Sequence, residues 1–279
     1  MSSGRFGAHV IAPGITEFRL WAPDAEQVSV VLKNGEHKMQ RDDHGVFSAT
    51  AFADPGSTYK FRINNGNTVP DPASRLQYHD AHGESVIVDH AFDWKHPEWQ
   101  GRPWHETIVY EIHPGVSDGF VGITAQLPRL AAMGITAIEL MPIADFPGTH
   151  NWGYDGVLIY AADTSYGTIA ELKQLIDTAH GLNLQVFLDV VYNHFGPDGN
   201  YLNAYAKSFF RDDIHTPWGN AIDFRREQVR QFFIENALYW LHDIKFDGMR
   251  FDAVHAIEDE TFLQELATEI RASTPPGRH

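Results

Sequence analysis

Leu184–Val191 reads LQVFLDVV and is the most apolar strand signal in the chain, broken only by Gln185 and Asp189. It stands third in a series. Upstream, Ile108–His113 is a first strand, and Ile123, Leu127, Leu130 and Ala131 then mark one face of a helix that Gly134 ends. Ile135–Met141 is the second strand, and Leu172, Leu175, Ile176 and Ala179 repeat the helical spacing up to Gly181. Downstream, Val229, Phe232, Phe233, Ala237, Trp240 and Ile244 give a long helix before a fourth strand at Phe246–Phe251. Phe262, Leu263, Leu266 and Ile270 form the last helix. Four β/α units in series imply a parallel sheet with helices packed on it. A doubly wound sheet and part of a (β/α)8 barrel both satisfy that pattern.

The first 90 residues have another rhythm. Glu17–Trp21, Gln27–Leu32, Val46–Ala49 and Tyr59–Ile63 alternate or run apolar, and Asn34-Gly35, His44-Gly45, Pro55-Gly56 and Asn65-Gly66 punctuate them. Short strands at this spacing predict a small all-β, immunoglobulin-like sandwich over residues 1–90. Residues 91–107 carry Trp94, Trp99 and Trp104 and read as a packed connector, which leaves 108–279 for the β/α units.

Composition narrows the function. With 43% hydrophobic and 13% aromatic residues, the 279-residue chain can bury a sizeable core. A formal net charge of −16 argues against nucleic acid or an anionic membrane as partner. The absence of cysteine excludes disulfides, thiolate nucleophiles and Cys-ligated zinc. No basic leader and no run of about 18 apolar residues is present, so a cytoplasmic location is expected. No phosphate-binding glycine loop or HExxH pattern occurs, and neither a metal nor another cofactor is expected.

In either parallel architecture, ligands bind where the strands end. There the chain places Trp152 and Tyr154 after strand two, Asp189 and His194 on and after strand three, and Arg250 and Asp252 on strand four, with His255 close behind. Arg250 and Asp252 are two apart on a strand and so share a face. A carboxylate beside a guanidinium stays ionised and can attack or stabilise a cationic carbon. Aromatic faces suit the apolar faces of sugar rings, and His, Asn and Asp suit their hydroxyls. Each residue alone has a structural explanation. Asp189 fits a buried carboxylate, His194 a satisfied histidine, Trp152 and Tyr154 ordinary packing, and Arg250 with Asp252 an ion pair. His113 after Glu111 reads as structural, and Asp259 and Glu260 read as first-turn helix acids. The constellation carries more than any member.

Asp189-Val-Val-Tyr-Asn-His194 and Gly248-Met-Arg-Phe-Asp-Ala-Val-His255 resemble the first two signature regions of the α-amylase family, glycoside hydrolase family 13. Phe18–Pro23, Pro70–Gln77, Pro147–Val157, Asn193–Tyr201 and His215–Gly219 look like the branch of that family that releases trehalose from maltooligosyl-trehalose. Branching and debranching enzymes of the same family share the domain order, and a glycogen branching or debranching enzyme is the alternative reading. The resemblance implies a β-sandwich followed by a (β/α)8 barrel and retaining cleavage of the α-1,4 bond beside a terminal trehalose. It implies Asp252 as nucleophile, Arg250 holding it ionised, His194 and Tyr154 shaping the sugar site, Asp189 supporting the network, and His255 touching substrate beyond the cleavage point. The substrate would be maltooligosyl-trehalose or a related α-glucan.

The family's proton donor is a Glu at the end of strand five. The sequence stops at Pro275–His279, where the loop into that strand is expected. The reading is therefore the first half of the barrel, about four β/α units, inactive alone and prone to self-association through open barrel edges. A non-catalytic α-glucan-binding fragment, or one half of a split enzyme, is the alternative from another class.

Overall fold

The computed structural model describes residues 6–275 and 277–279. Residues 1–5, where the first region and the leader reading begin, and Pro276 lie outside it. The N-terminal strands form two antiparallel sheets. One orders Gly7–Ala12, Ile15–Trp21, Val46–Phe52 and Gln40–Arg41; the other orders Gly35–Lys38, Val28–Leu32, Thr58–Ile63, Glu84–Val86 and Gln77–Tyr78, with Thr68–Val69 paired to Thr58–Ile63. The period of two sends Thr16, Phe18 and Leu20 inward from one sheet and Val28, Val30, Tyr59 and Phe61 from the other.

The sandwich is tied to the barrel by a buried cation. Arg75 donates to the Phe6 and Ala73 carbonyls and lies 4.6 Å from the Tyr160 ring and 5.5 Å from that of Tyr239. The connector is pinned at the other end of the strands. Asp247 accepts from Trp99 Nε1 at 2.7 Å and the Val186 amide at 2.8 Å, and it bonds His180 Nε2 at 2.9 Å. The Trp99 ring stacks on His180 at 5.0 Å.

The barrel strands Val109–Ile112, Ala137–Leu140, Gln185–Val190 and Gly248–Phe251 pair in that order, all parallel. Between them run α1 (Gly119–Ala132), α2 (Ile169–Gly181) and α3 (Glu227–His242), with α4 (Glu260–Ser273) following. A doubly wound sheet would interleave the order; this one follows the sequence, as a barrel does. Beyond α4 the chain returns to the free side of the fourth strand, where the His279 amide donates to the Asp247 carbonyl at 2.8 Å and Met249 N to the His279 carbonyl at 2.9 Å.

Some details differ from the sequence reading. Gly181 is the last residue of α2, and the left-handed residue that reverses the chain is Asn183, at φ +60°. Asp259 is the N-cap of α4, accepting from Phe262 N at 3.0 Å, rather than a first-turn acid. Two antiparallel pairs escaped notice: Ala144–Asp145 with Leu158–Ala162, and Phe210–Thr216 with Gly219–Ile222.

Asp145 in the first of these pairs is fully buried, and neither carboxyl oxygen has a hydrogen-bond partner. Burial, reinforced by the charges of Asp163 and Asp80, pushes it up to about 8 from 3.8. A carboxyl raised on folding destabilises the fold increasingly as pH climbs from its unfolded value through its folded one. Stability should therefore fall between about pH 4 and 8, the window between the two values. Asp145→Asn should flatten that fall by about 1–2 kcal/mol, as read from urea unfolding at both pH values.

Candidate active site at the carboxyl ends of the strands

Register builds the site. Asp189 on the third strand is paired directly with Arg250 on the fourth, and Asp252 follows two residues on. One guanidinium nitrogen, Arg250 Nη1, donates to Asp189 Oδ2 at 2.6 Å and to Asp252 Oδ1 at 2.9 Å. The two carboxylates differ in surroundings: the Asp189 side chain has no exposure, whereas that of Asp252 is 20% exposed. Burial pushes Asp189 up to about 7, against the opposing pull of Arg250 and of the Tyr154 hydroxyl, which donates to Asp189 Oδ2 at 3.1 Å. Tyr154 is itself pushed up to about 12 by burial and by the negative charge of Asp189, so it remains a donor.

His194 sits beside this network. Its Nε2 lies 2.9 Å from the Tyr154 carbonyl and its Nδ1 bonds Asn193 Oδ1. The Trp218 ring stacks flat on it at 4.5 Å and 11°. Burial lowers the His194 pKa, opposed by the Tyr154 carbonyl and the charges of Asp155 and Asp252.

Trp152 is 65% exposed at the rim and stacks on His113 at 5.4 Å. His113 also bonds the Asn151 carbonyl at 2.9 Å, so its ring supports the Trp152 platform. His255 lies exposed in the short turn Val254–Ala256, beyond the Arg250 network. The structure thus brings Tyr154, Asp189, His194, Arg250 and Asp252 into one cluster, with Trp152 on its rim and His255 outside it.

The sequence reading gave no role to Asn193 or Trp218, nor to Glu111 and Glu139. Glu111 and Glu139 face each other in register on the first two strands, and their carboxylate oxygens and that of Asp189 lie within 4.8 Å of one another. Burial, and then the charge of Glu111, raise Glu139. These three could offer a cation oxygen ligands, although Arg250 already supplies positive charge to Asp189. A charged residue interrupting each apolar strand was the available signal.

A β-sandwich leads into sequentially ordered parallel barrel strands with Arg and Asp at the mouth, and over both regions the chain is similar to the α-amylase family of glycoside hydrolases. Residues 114–219 match the α-amylase catalytic domain, and residues 5–81 match carbohydrate-binding module 48, the isoamylase N-terminal domain. Among curated relatives, the malto-oligosyltrehalose trehalohydrolase of Saccharolobus solfataricus is 42% identical over 95% of this chain and 49% of its own length. That of Deinococcus radiodurans is 41% identical over 95% of this chain and 46% of its own. A crystal structure from Salmonella typhimurium described as an α-amylase superposes with a TM-score of 0.94 at 43% identity, covering 97% of this chain and 48% of that one. The chain spans about half the length of the curated relatives it matches.

Arg250 holds the ionised form of Asp189, whose side chain has no solvent exposure. Arg250→Met should cost about 2 kcal/mol at pH 8 and much less at pH 5, where Asp189 is protonated in the folded state. Unfolding curves at the two pH values check this; equal losses would show that Arg250 contributes packing alone.

Proposed function

We propose that this chain carries the nucleophile half of a retaining trehalohydrolase site, acting on the α-1,4 bond beside the terminal trehalose of a maltooligosyl-trehalose. The observation that supports it best is Arg250 bridging Asp189 and Asp252 at the mouth of the strands. The relatives named as trehalohydrolases supply the substrate.

In this reading Asp252 attacks the anomeric carbon and Arg250 keeps it ionised. Tyr154 and His194 bound the sugar at the cleavage point, Trp152 offers a ring face, and His255 lies towards the leaving side. Retaining chemistry needs a second carboxyl about 5 Å from the nucleophile. Asp189 is near enough through Arg250, but it has no exposure and is held by Arg250 and Tyr154, so it cannot reach a leaving oxygen. Glu265 pairs with Arg230 at 2.6 Å and Glu269 is exposed on α4, so neither faces the site. Asp189, Glu265 and Glu269 are thus not placed as proton donor; in this reading a Glu after a fifth strand supplies it.

The 279-residue chain should bind maltotriosyl-trehalose in preference to maltopentaose by calorimetry, yet release no trehalose. Missing general acid catalysis costs about 10²–10⁴-fold by itself. Supplying a polypeptide with the remaining strands should restore release, and Asp252→Asn should abolish it. Turnover by the chain alone would overturn the assignment of the donor. Equal binding of the two glucans would overturn the substrate and favour a general α-glucan-binding role.

A further inference from the structure

The turn that follows Asp252 is strained, and one buried side chain holds it. Ala253 has φ +41° and ψ +45°, the left-handed region, which costs a residue with a Cβ about 1–2 kcal/mol. Asn193, 1% exposed, places its Nδ2 at 3.4 Å from the Asp252 carbonyl and 3.3 Å from the Ala253 carbonyl. Carbonyls only accept, so the amide nitrogen faces them and the amide oxygen faces the ring of His194. The orientation of Asn193 is thus decided by the backbone of the nucleophile turn.

We propose that Asn193 is a positioning residue that couples the His194 ring to the Asp252–Ala253 turn, and that it fixes neutral His194 as the Nδ1–H tautomer. An amide oxygen opposite Nδ1 requires a proton there. The carbonyl of Tyr154 opposite Nε2 asks for a proton as well. A neutral imidazole has one N–H and cannot satisfy both. The contact with Asn193 is buried, while that with Tyr154 is only partly so. Leaving a buried amide oxygen against a bare ring nitrogen is the costlier choice, so the proton stays on Nδ1. Nε2 then carries no proton and faces the Tyr154 carbonyl without donating to it. Trp218 stacked on the ring face blocks rotation out of this arrangement, and the charges facing the ring are those of Asp155 and Asp252.

Only the identity of the positioned group rests on the glycosidase reading. The tautomer is read without substrate, so it stands or falls separately from trehalose release. In the chain labelled with 15N-histidine, at a pH where the imidazolium is gone, His194 should show the Nδ1–H pattern; His194→Gln assigns its signals. Asn193→Ala should switch it to Nε2–H, donating to the Tyr154 carbonyl. The same variant should speed amide exchange in the Ala253–Ile257 turn about tenfold, the equivalent of one lost hydrogen bond. Adding Ala253→Gly should restore the turn's protection without restoring the tautomer. An Nε2–H ring in the unaltered chain overturns the proposal, whatever becomes of the variants. So does an Nδ1–H ring that survives Asn193→Ala.

Discussion

Arg250 puts a single guanidinium nitrogen between two carboxylates in opposite situations, Asp189 without solvent and Asp252 at the mouth. A buried carboxylate without a partner would protonate or push the strands apart. One with a cation and a phenol donor can remain beneath the site. Because Asp189 and Arg250 are cross-strand partners, the contact also fixes the register of the third and fourth strands. A slip of one residue would turn Arg250 and Asp252 to the other face together.

Much of the barrel was legible because its signals are redundant. Each strand is an apolar run, each helix a 3.6-residue stripe, and the motif residues fall where strands end. The two hairpins were not legible. Leu158–Ala162 is buried at every position but pairs with only two residues, so neither alternation nor length betrays it as a strand. The site was legible as a list of residue types and not as a hierarchy. Nothing in DVVYNH tells that Asn193 turns its amide towards the Asp252–Ala253 backbone, because that contact depends on the left-handed Ala253 60 residues later.

Three carboxyl groups gather along the first three strands, from the exposed Glu111 to the buried Asp189. Glu111, Glu139 and Asp189 converge, and Arg250 is the cation among them. Their response is graded by burial. Asp189 is driven up to about 7 and Glu139 is raised. Protons are therefore held deepest where the dielectric is lowest, which leaves the charge of Arg250 directed towards the mouth.

That gradient bears on how Asp252 is presented. If Asp189 were fully ionised, it would compete with Asp252 for the same nitrogen. With Asp189 near its midpoint at neutral pH, Arg250 can satisfy both without choosing. Backbone geometry completes the presentation: Asp252 N donates to the Val190 carbonyl at 3.0 Å, so the strand still holds the residue while the next one turns into the left-handed region. The carboxylate is thereby carried one residue past the strand's end, with the left-handed turn that Asn193 holds placed after it.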